Sequence, residues 1–177
     1  KGFHALASVL QSHPATCAIS TRNNADALAA FHYLLVREGY SGGSQELFPH
    51  QMARGHFSPS LQRPLCDKPS PEPAHEALRM LRLIPGASNL LPAEEVVCHE
   101  ADPRLQPECL FVGDSEDDLL SGLRAGFRSC WVTNGEHEVK GSYAHSFMQS
   151  GRAPELATWV VHDLHELADR LATEVGK

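Results

Sequence analysis

The chain has 177 residues, of which 42% are hydrophobic, with a formal net charge of −7. That length and apolar content suit one domain with a real core. The acidic balance excludes a broad nucleic-acid-binding face, and no apolar run reaches the length of a transmembrane helix.

Residues 2–11 carry apolar groups at helical spacing, and Pro14 closes that segment. Residues 15–20 (Ala-Thr-Cys-Ala-Ile-Ser) form a short apolar run that reads as a buried strand. It ends in the polar turn Thr21-Arg22-Asn23-Asn24, rich in helix-capping residues, and a helix is expected over 25–37. Residues 41–45 read as a loop, and a short strand is expected around Gln51 to Arg54. Residues 59–73, with Pro59, Pro64, Pro69, Pro71 and Pro73, read as irregular. Helix returns at 74–83. Residues 84–107 read as a loop insertion with a short helix starting at Pro92. A strand over 110–113 then runs into a helix from Ser115, and Arg128 to Val132 is a further strand. Residues 134–157 read as a second, polar loop insertion. Trp159 to Val161 is a last strand, and 163–172 a closing helix in which Asp163 is the cap and Glu166 its capping-box partner.

Strands alternate with helices throughout, which predicts an α/β fold: a Rossmann-like parallel sheet with flanking helices, in one domain over 1–177. In such sheets the site lies at the carboxyl ends of the strands. Cys17, Cys66, Cys98, Cys109 and Cys130 are odd in number and contain no Cys-x-x-Cys. They read as reduced thiols, three of them beside strands as small hydrophobes. The eleven histidines are scattered; His162 and His165 share a helix face but have no third ligand for a zinc site. The first residues lack the charged-then-apolar pattern of a secretory leader. A cytoplasmic location is therefore expected.

Three polar clusters occur in order. Ser20-Thr21-Arg22-Asn23 offers a hydroxyl and backbone N–H groups at a helix start, which can grip a phosphate. Lys68, in Cys66-Asp67-Lys68-Pro69-Ser70-Pro71-Glu72-Pro73, sits on a loop stiffened by prolines, and its ammonium can neutralise developing charge. Gly113-Asp114-Ser115-Glu116-Asp117-Asp118 brings two carboxylates, four residues apart, to a strand tip and helix start, a pattern suited to Mg²⁺. Each cluster alone has an ordinary explanation as a cap, a solvated lysine or compensation of a helix dipole. The ordered set of three is far more specific.

In this order and spacing the chain resembles the haloacid dehalogenase-like (HAD) hydrolase superfamily over about residues 2 to 170. Its Thr-Arg-Asn and Lys-Pro-x-Pro-x-Pro stretches resemble the phosphoglycolate-phosphatase-like branch. The resemblance implies a HAD-like core and hydrolysis of a small phosphorylated metabolite through an aspartyl-phosphate, with Mg²⁺ as cofactor. It also implies catalytic roles for Thr21, Lys68 and Asp114, a phosphate site of Thr21, Arg22, Asn23 and Lys68, and metal binding by Asp114 and Asp118. Members of the superfamily open on a strand ending in Asp-x-Asp-Gly-Thr, whose first Asp is the nucleophile and whose second is the general acid/base. No Asp-x-Asp occurs in these 177 residues. The expectation is thus a C-terminal part of such an enzyme, without its central nucleophile strand and cap, and inactive by itself. The alternatives are a non-catalytic phosphate- or Mg²⁺-binding module and, within the superfamily, a dehalogenase. A two-component receiver domain uses the same residue types but begins with its acids, whereas here the order is Thr, Lys, Asp.

Overall fold

The computed structural model describes residues 2–12, 17–59, 61–81 and 109–175. They fall into two compact units, one holding residues 17–81 and the other residues 2–12 and 109–175.

In the first unit, β1 (Ala18–Ser20) pairs in parallel with β2 (His50–Met52), with Ile19 opposite Gln51. Between them run α2 (Ala25–Arg37) and the short α3 (Ser44–Leu47). Asn24 caps α2 by accepting a hydrogen bond from the Ala27 N–H at 3.1 Å, as the polar turn predicts. The expected loop at 41–45 gives way to α3 from Ser44. Ser44 is buried, and its hydroxyl contacts Gln51 at 3.2 Å, a tertiary partner with no local signal. A small antiparallel pair, β3 (Phe57–Ser58) with β4 (Arg63–Pro64), lies where irregular chain is expected. α4 (Glu72–Met80) begins inside the proline-rich stretch rather than after it. Pro73 falls in its first turn, where a missing N–H costs nothing, so proline there opens a helix instead of breaking one. Leu35, Leu47, Met52, Ala74 and Leu78 are among the buried apolar side chains of this unit.

In the second unit, β5 (Leu110–Gly113), β6 (Arg128–Val132) and β7 (Trp159–Val161) form a three-stranded parallel sheet in that order. α5 (Glu116–Arg124) connects β5 to β6. Side chains alternate across β6. Cys130 and Val132 face Val161 and Leu167, with Leu6 of α1 (Phe3–Ser12) packed alongside. Trp131 faces Leu119, Ala144 and Phe147 on the other side. Burial pushes the Cys130 thiol up to about 12, in keeping with an inert core residue. Gly122 lets α5 lie close on the sheet, because a Cβ there would stand 2.6 Å from Cβ of Phe111.

The segment 134–157 is not a loop. It holds a 3₁₀ turn (Glu136–Glu138), α6 (Tyr143–Gln149) and α7 (Arg152–Leu156). These helices are too short for periodicity to reveal, but Ser142 caps α6 through the His145 N–H at 3.0 Å. The closing helix, α8 (Leu164–Val175), runs three residues beyond its expected end. Asp163 caps it by accepting from the N–H groups of His165 and Glu166 at 2.8 and 3.1 Å. Glu166 answers at the His162 N–H, one residue earlier than a standard capping box.

The fold is therefore α/β with parallel strands and flanking helices in both units. Among the described strands, β1 pairs only with β2 and β5 only with β6. The expected insertion at 84–107, the helix at Pro92 and Cys98 lie outside the described residues. No helix among the described residues is long and apolar enough to cross a membrane.

Candidate functional site

The phosphate-type residues belong to the first unit. The ladder between β1 and β2 extends one residue further, with the Thr21 N–H donating to the Met52 carbonyl at 2.9 Å. The Thr21 hydroxyl then accepts from the Asn23 N–H at 3.1 Å, a Thr turn that reverses the chain before α2. The Asn23 carbonyl accepts from the Arg54 N–H at 2.9 Å and so braces the loop after β2. Lys68, half-buried, donates from Nζ to the Ser20 carbonyl at 2.8 Å. Thr21 and Lys68 are 47 positions apart in sequence, yet both line one shallow, open concavity. Arg22 and Arg54 line it too, together with Asp67, which pairs with Arg54 at 3.2 Å. Three cations against one carboxylate make this hollow suited to a dianion. Asn23 does not line it; its backbone supports the turn instead.

Two carboxylates that sequence reasoning passed over hold this arrangement. Glu72 takes the Arg63 guanidinium in a two-point contact at 2.7 and 3.0 Å and also accepts from the Cys66 N–H at 2.8 Å. Burial alone would raise its pKa, but the Arg63 fork and the Cys66 N–H outweigh burial and hold it below the usual range. The loop 66–72 that carries Lys68 is thereby fastened at both ends. Glu76 is buried within α4. It accepts from the Ser58 hydroxyl at 2.9 Å and from Nε of Arg79 at 3.0 Å. Burial opposes ionisation of Glu76 as well, and Arg79 and Ser58 again prevail to lower its pKa. The only sequence signal for Glu76 is its spacing of three from Arg79 on one helix; nothing local points to Ser58.

The acidic cluster belongs to the second unit. β5 ends at Gly113, Asp114 is exposed beyond it, and Ser115 caps α5. Asp118 is buried and closes a capping box. Its Oδ2 accepts from the Ser115 hydroxyl at 2.7 Å and from the N–H groups of Asp114 and Ser115 at 3.3 Å each. Gly113 is what admits it, since a Cβ there would stand 2.2 Å from Cβ of Asp118. The Asp114 carbonyl accepts from the Trp131 indole N–H at 3.1 Å. The sequence-predicted pair is thus brought together with unequal tasks. Asp114 presents a carboxylate at the strand tip, and Asp118 shapes the loop that carries it.

This donor set fits Mg²⁺. The ion prefers hard oxygen and is held by one or two carboxylates plus water and substrate phosphate, not by a closed protein cage. No group of three or more His, Cys, Asp or Glu placed to hold a metal by itself occurs among the described residues. His162 and His165 are exposed and pair with Asp163 and Asp169. In α6, His145 contacts the His137 carbonyl through Nδ1 at 2.9 Å, and Phe147 is buried against Trp131. Tyr143 donates to Glu116 at 2.8 Å; partial desolvation and that hydrogen bond push its pKa up to about 12.

A family model described as HAD-hydrolase-like matches residues 65–167, more than half of the chain, and that stretch contains Lys68, Asp114 and Asp118. The chain is also similar to a crystal structure of D,D-heptose bisphosphate phosphatase from B. bronchiseptica complexed with magnesium and phosphate. The TM-score is 0.58 at 20% identity, over 97% of this chain and 81% of that one. No curated protein sequence matches.

Proposed function

The chain belongs to the HAD-like hydrolase family, and on that premise we propose that it is the C-terminal part of a Mg²⁺-dependent phosphatase acting on a small phosphorylated metabolite. The observation that carries this reading is Lys68 bound to the Ser20 carbonyl, beside Thr21, in a hollow rich in cations. Thr21 would grip a phosphoryl oxygen with its hydroxyl, Lys68 would offset the charge that builds up during transfer, and Arg22 would contribute further positive charge. Asn23 would serve through its backbone. Asp114 would hold Mg²⁺ directly, and Asp118 would fix the loop that presents it. When bound, Mg²⁺ would supply Lewis-acid charge stabilisation. The magnesium and phosphate bound to the similar phosphatase are in keeping with these choices.

The nucleophile is the missing part. With no Asp-x-Asp in the 177 residues, no carboxylate here matches the one that attacks phosphorus, so this chain by itself should not turn over substrate. The same observation favours a second reading, a binding module that holds phosphate or Mg²⁺ without chemistry. Calorimetric titration tests the binding roles that both readings share. Asp114→Asn should weaken Mg²⁺ binding at least about tenfold, because it removes the charged ligand. Lys68→Met should weaken binding of inorganic phosphate by a similar factor, roughly tenfold. Unchanged affinities in both variants would remove the assignment.

A further inference from the structure

The acidic loop carries four carboxylates in five residues, Asp114, Glu116, Asp117 and Asp118. So many like charges repel one another, and the loop needs compensation to keep one conformation. Glu116, the first residue of α5, receives it from the segment after β6. Its carboxylate accepts the Tyr143 hydroxyl at 2.8 Å and is ion-paired with Arg152. These partners come from two consecutive helices, α6 and α7, and both helices are anchored in the core. The Tyr143 ring stacks on Phe147 at 5.9 Å and 7°, and Phe147 meets Trp131 edge-on at 5.0 Å. Ala153, next to Arg152, is fully buried in the same cluster. Trp131 in turn donates to the Asp114 carbonyl. The loop is thus held twice from one packed cluster, at Asp114 and at Glu116.

We propose that Tyr143 and Arg152 are positioning residues: by clasping Glu116 they set the conformation of the Asp114–Asp118 loop that receives the divalent cation. The part concerning the cation rests on the function proposed above; the part concerning the loop does not. The clasp also takes Glu116 out of competition as a ligand. Simple electrostatics makes the opposite forecast for Arg152. Losing a nearby positive charge would tighten cation binding if Arg152 acted only through its field.

The test measures amide hydrogen exchange and calorimetric Mg²⁺ affinity in the wild-type chain, Tyr143→Phe, Arg152→Gln and Arg152→Lys. Exchange is followed at Asp118 and Leu119, whose N–H groups donate to the Ser115 carbonyl at 3.1 and 3.2 Å. Both Tyr143→Phe and Arg152→Gln should raise exchange at these amides several-fold and lower Mg²⁺ affinity roughly 3- to 10-fold. Arg152→Lys should recover part of each effect. Exchange unchanged in both variants, or tighter Mg²⁺ binding by Arg152→Gln, overturns the proposal. A wild-type chain that takes up no Mg²⁺ overturns the cation-receiving role of this loop in the 177 residues, and the exchange data then decide the clasp alone.

Discussion

Replacing Glu76 with alanine should destabilise the protein by about 2–4 kcal/mol and make its stability less sensitive to acid. Only 2% of the Glu76 side chain is exposed, and it serves both Ser58 and Arg79. Removing it leaves the Ser58 hydroxyl buried without its acceptor and the Arg79 guanidinium, about a quarter exposed, without its counter-ion. Partial rehydration of Arg79 keeps the cost below that of a fully buried pair. The pH dependence follows from the lowered pKa of Glu76 in the folded chain. A carboxyl that is more acidic when folded contributes stability above its unfolded pKa of about 4.3 and loses that contribution as pH falls through the folded value. Glu72 acts in the same direction. Wild-type stability should therefore drop as pH is lowered below about 5, and Glu76→Ala should show a shallower drop. Urea denaturation across that pH range measures both effects. A variant with wild-type stability would mean that the Ser58–Glu76–Arg79 contacts do not hold α4 to the hairpin.

Gly113→Ala should disable the acidic loop without touching a carboxylate. The added methyl would stand 2.2 Å from Cβ and 2.6 Å from Cγ of Asp118. Asp118 has little room to yield, since its Oδ2 is held by the Ser115 hydroxyl and two backbone N–H groups. Either the capping box opens or β5 and α5 move apart. Overpacking costs about 1–3 kcal/mol and a lost cap about 1 kcal/mol, so a total near 2–4 kcal/mol is expected. Cation affinity should fall with it, because Asp114 sits between the clash and the displaced cap. A Gly113→Ala chain with wild-type stability and Mg²⁺ affinity would show that the loop tolerates a different conformation.

The sequence is most readable where one local rule acts. β5, Ser115 as cap and α5 follow from an apolar run, a capping residue and an amphipathic segment within 15 positions, and the site acids are part of that same pattern. β6, β7 and the Asp163 cap are readable for similar reasons. Reading fails where tertiary contacts or short elements decide. The prolines at 59–73 signal breaks, yet Pro73 opens α4 and Pro64 lies in a two-residue strand. α6 and α7, seven and five residues long, owe their order to packing of Phe147 and Ala153 against Trp131, which no local period announces. Motif order is what singles out Thr21, Lys68 and Asp114 as candidates, whereas the contacts of Glu72 and Glu76 emerge only once their partners Arg63 and Ser58 are seen across the chain.

Hydrolysis of p-nitrophenyl phosphate with Mg²⁺ gives the most direct test of the function, assayed on the 177-residue chain and on one extended by an upstream in-frame Asp-x-Asp segment of its coding sequence. The account predicts turnover by the extended chain, its loss on Asp114→Asn, and none from the 177 residues alone. Turnover by the 177-residue chain would contradict it, because a residue within that chain would then have to replace the nucleophile; an extended, folded chain with no activity would contradict it equally.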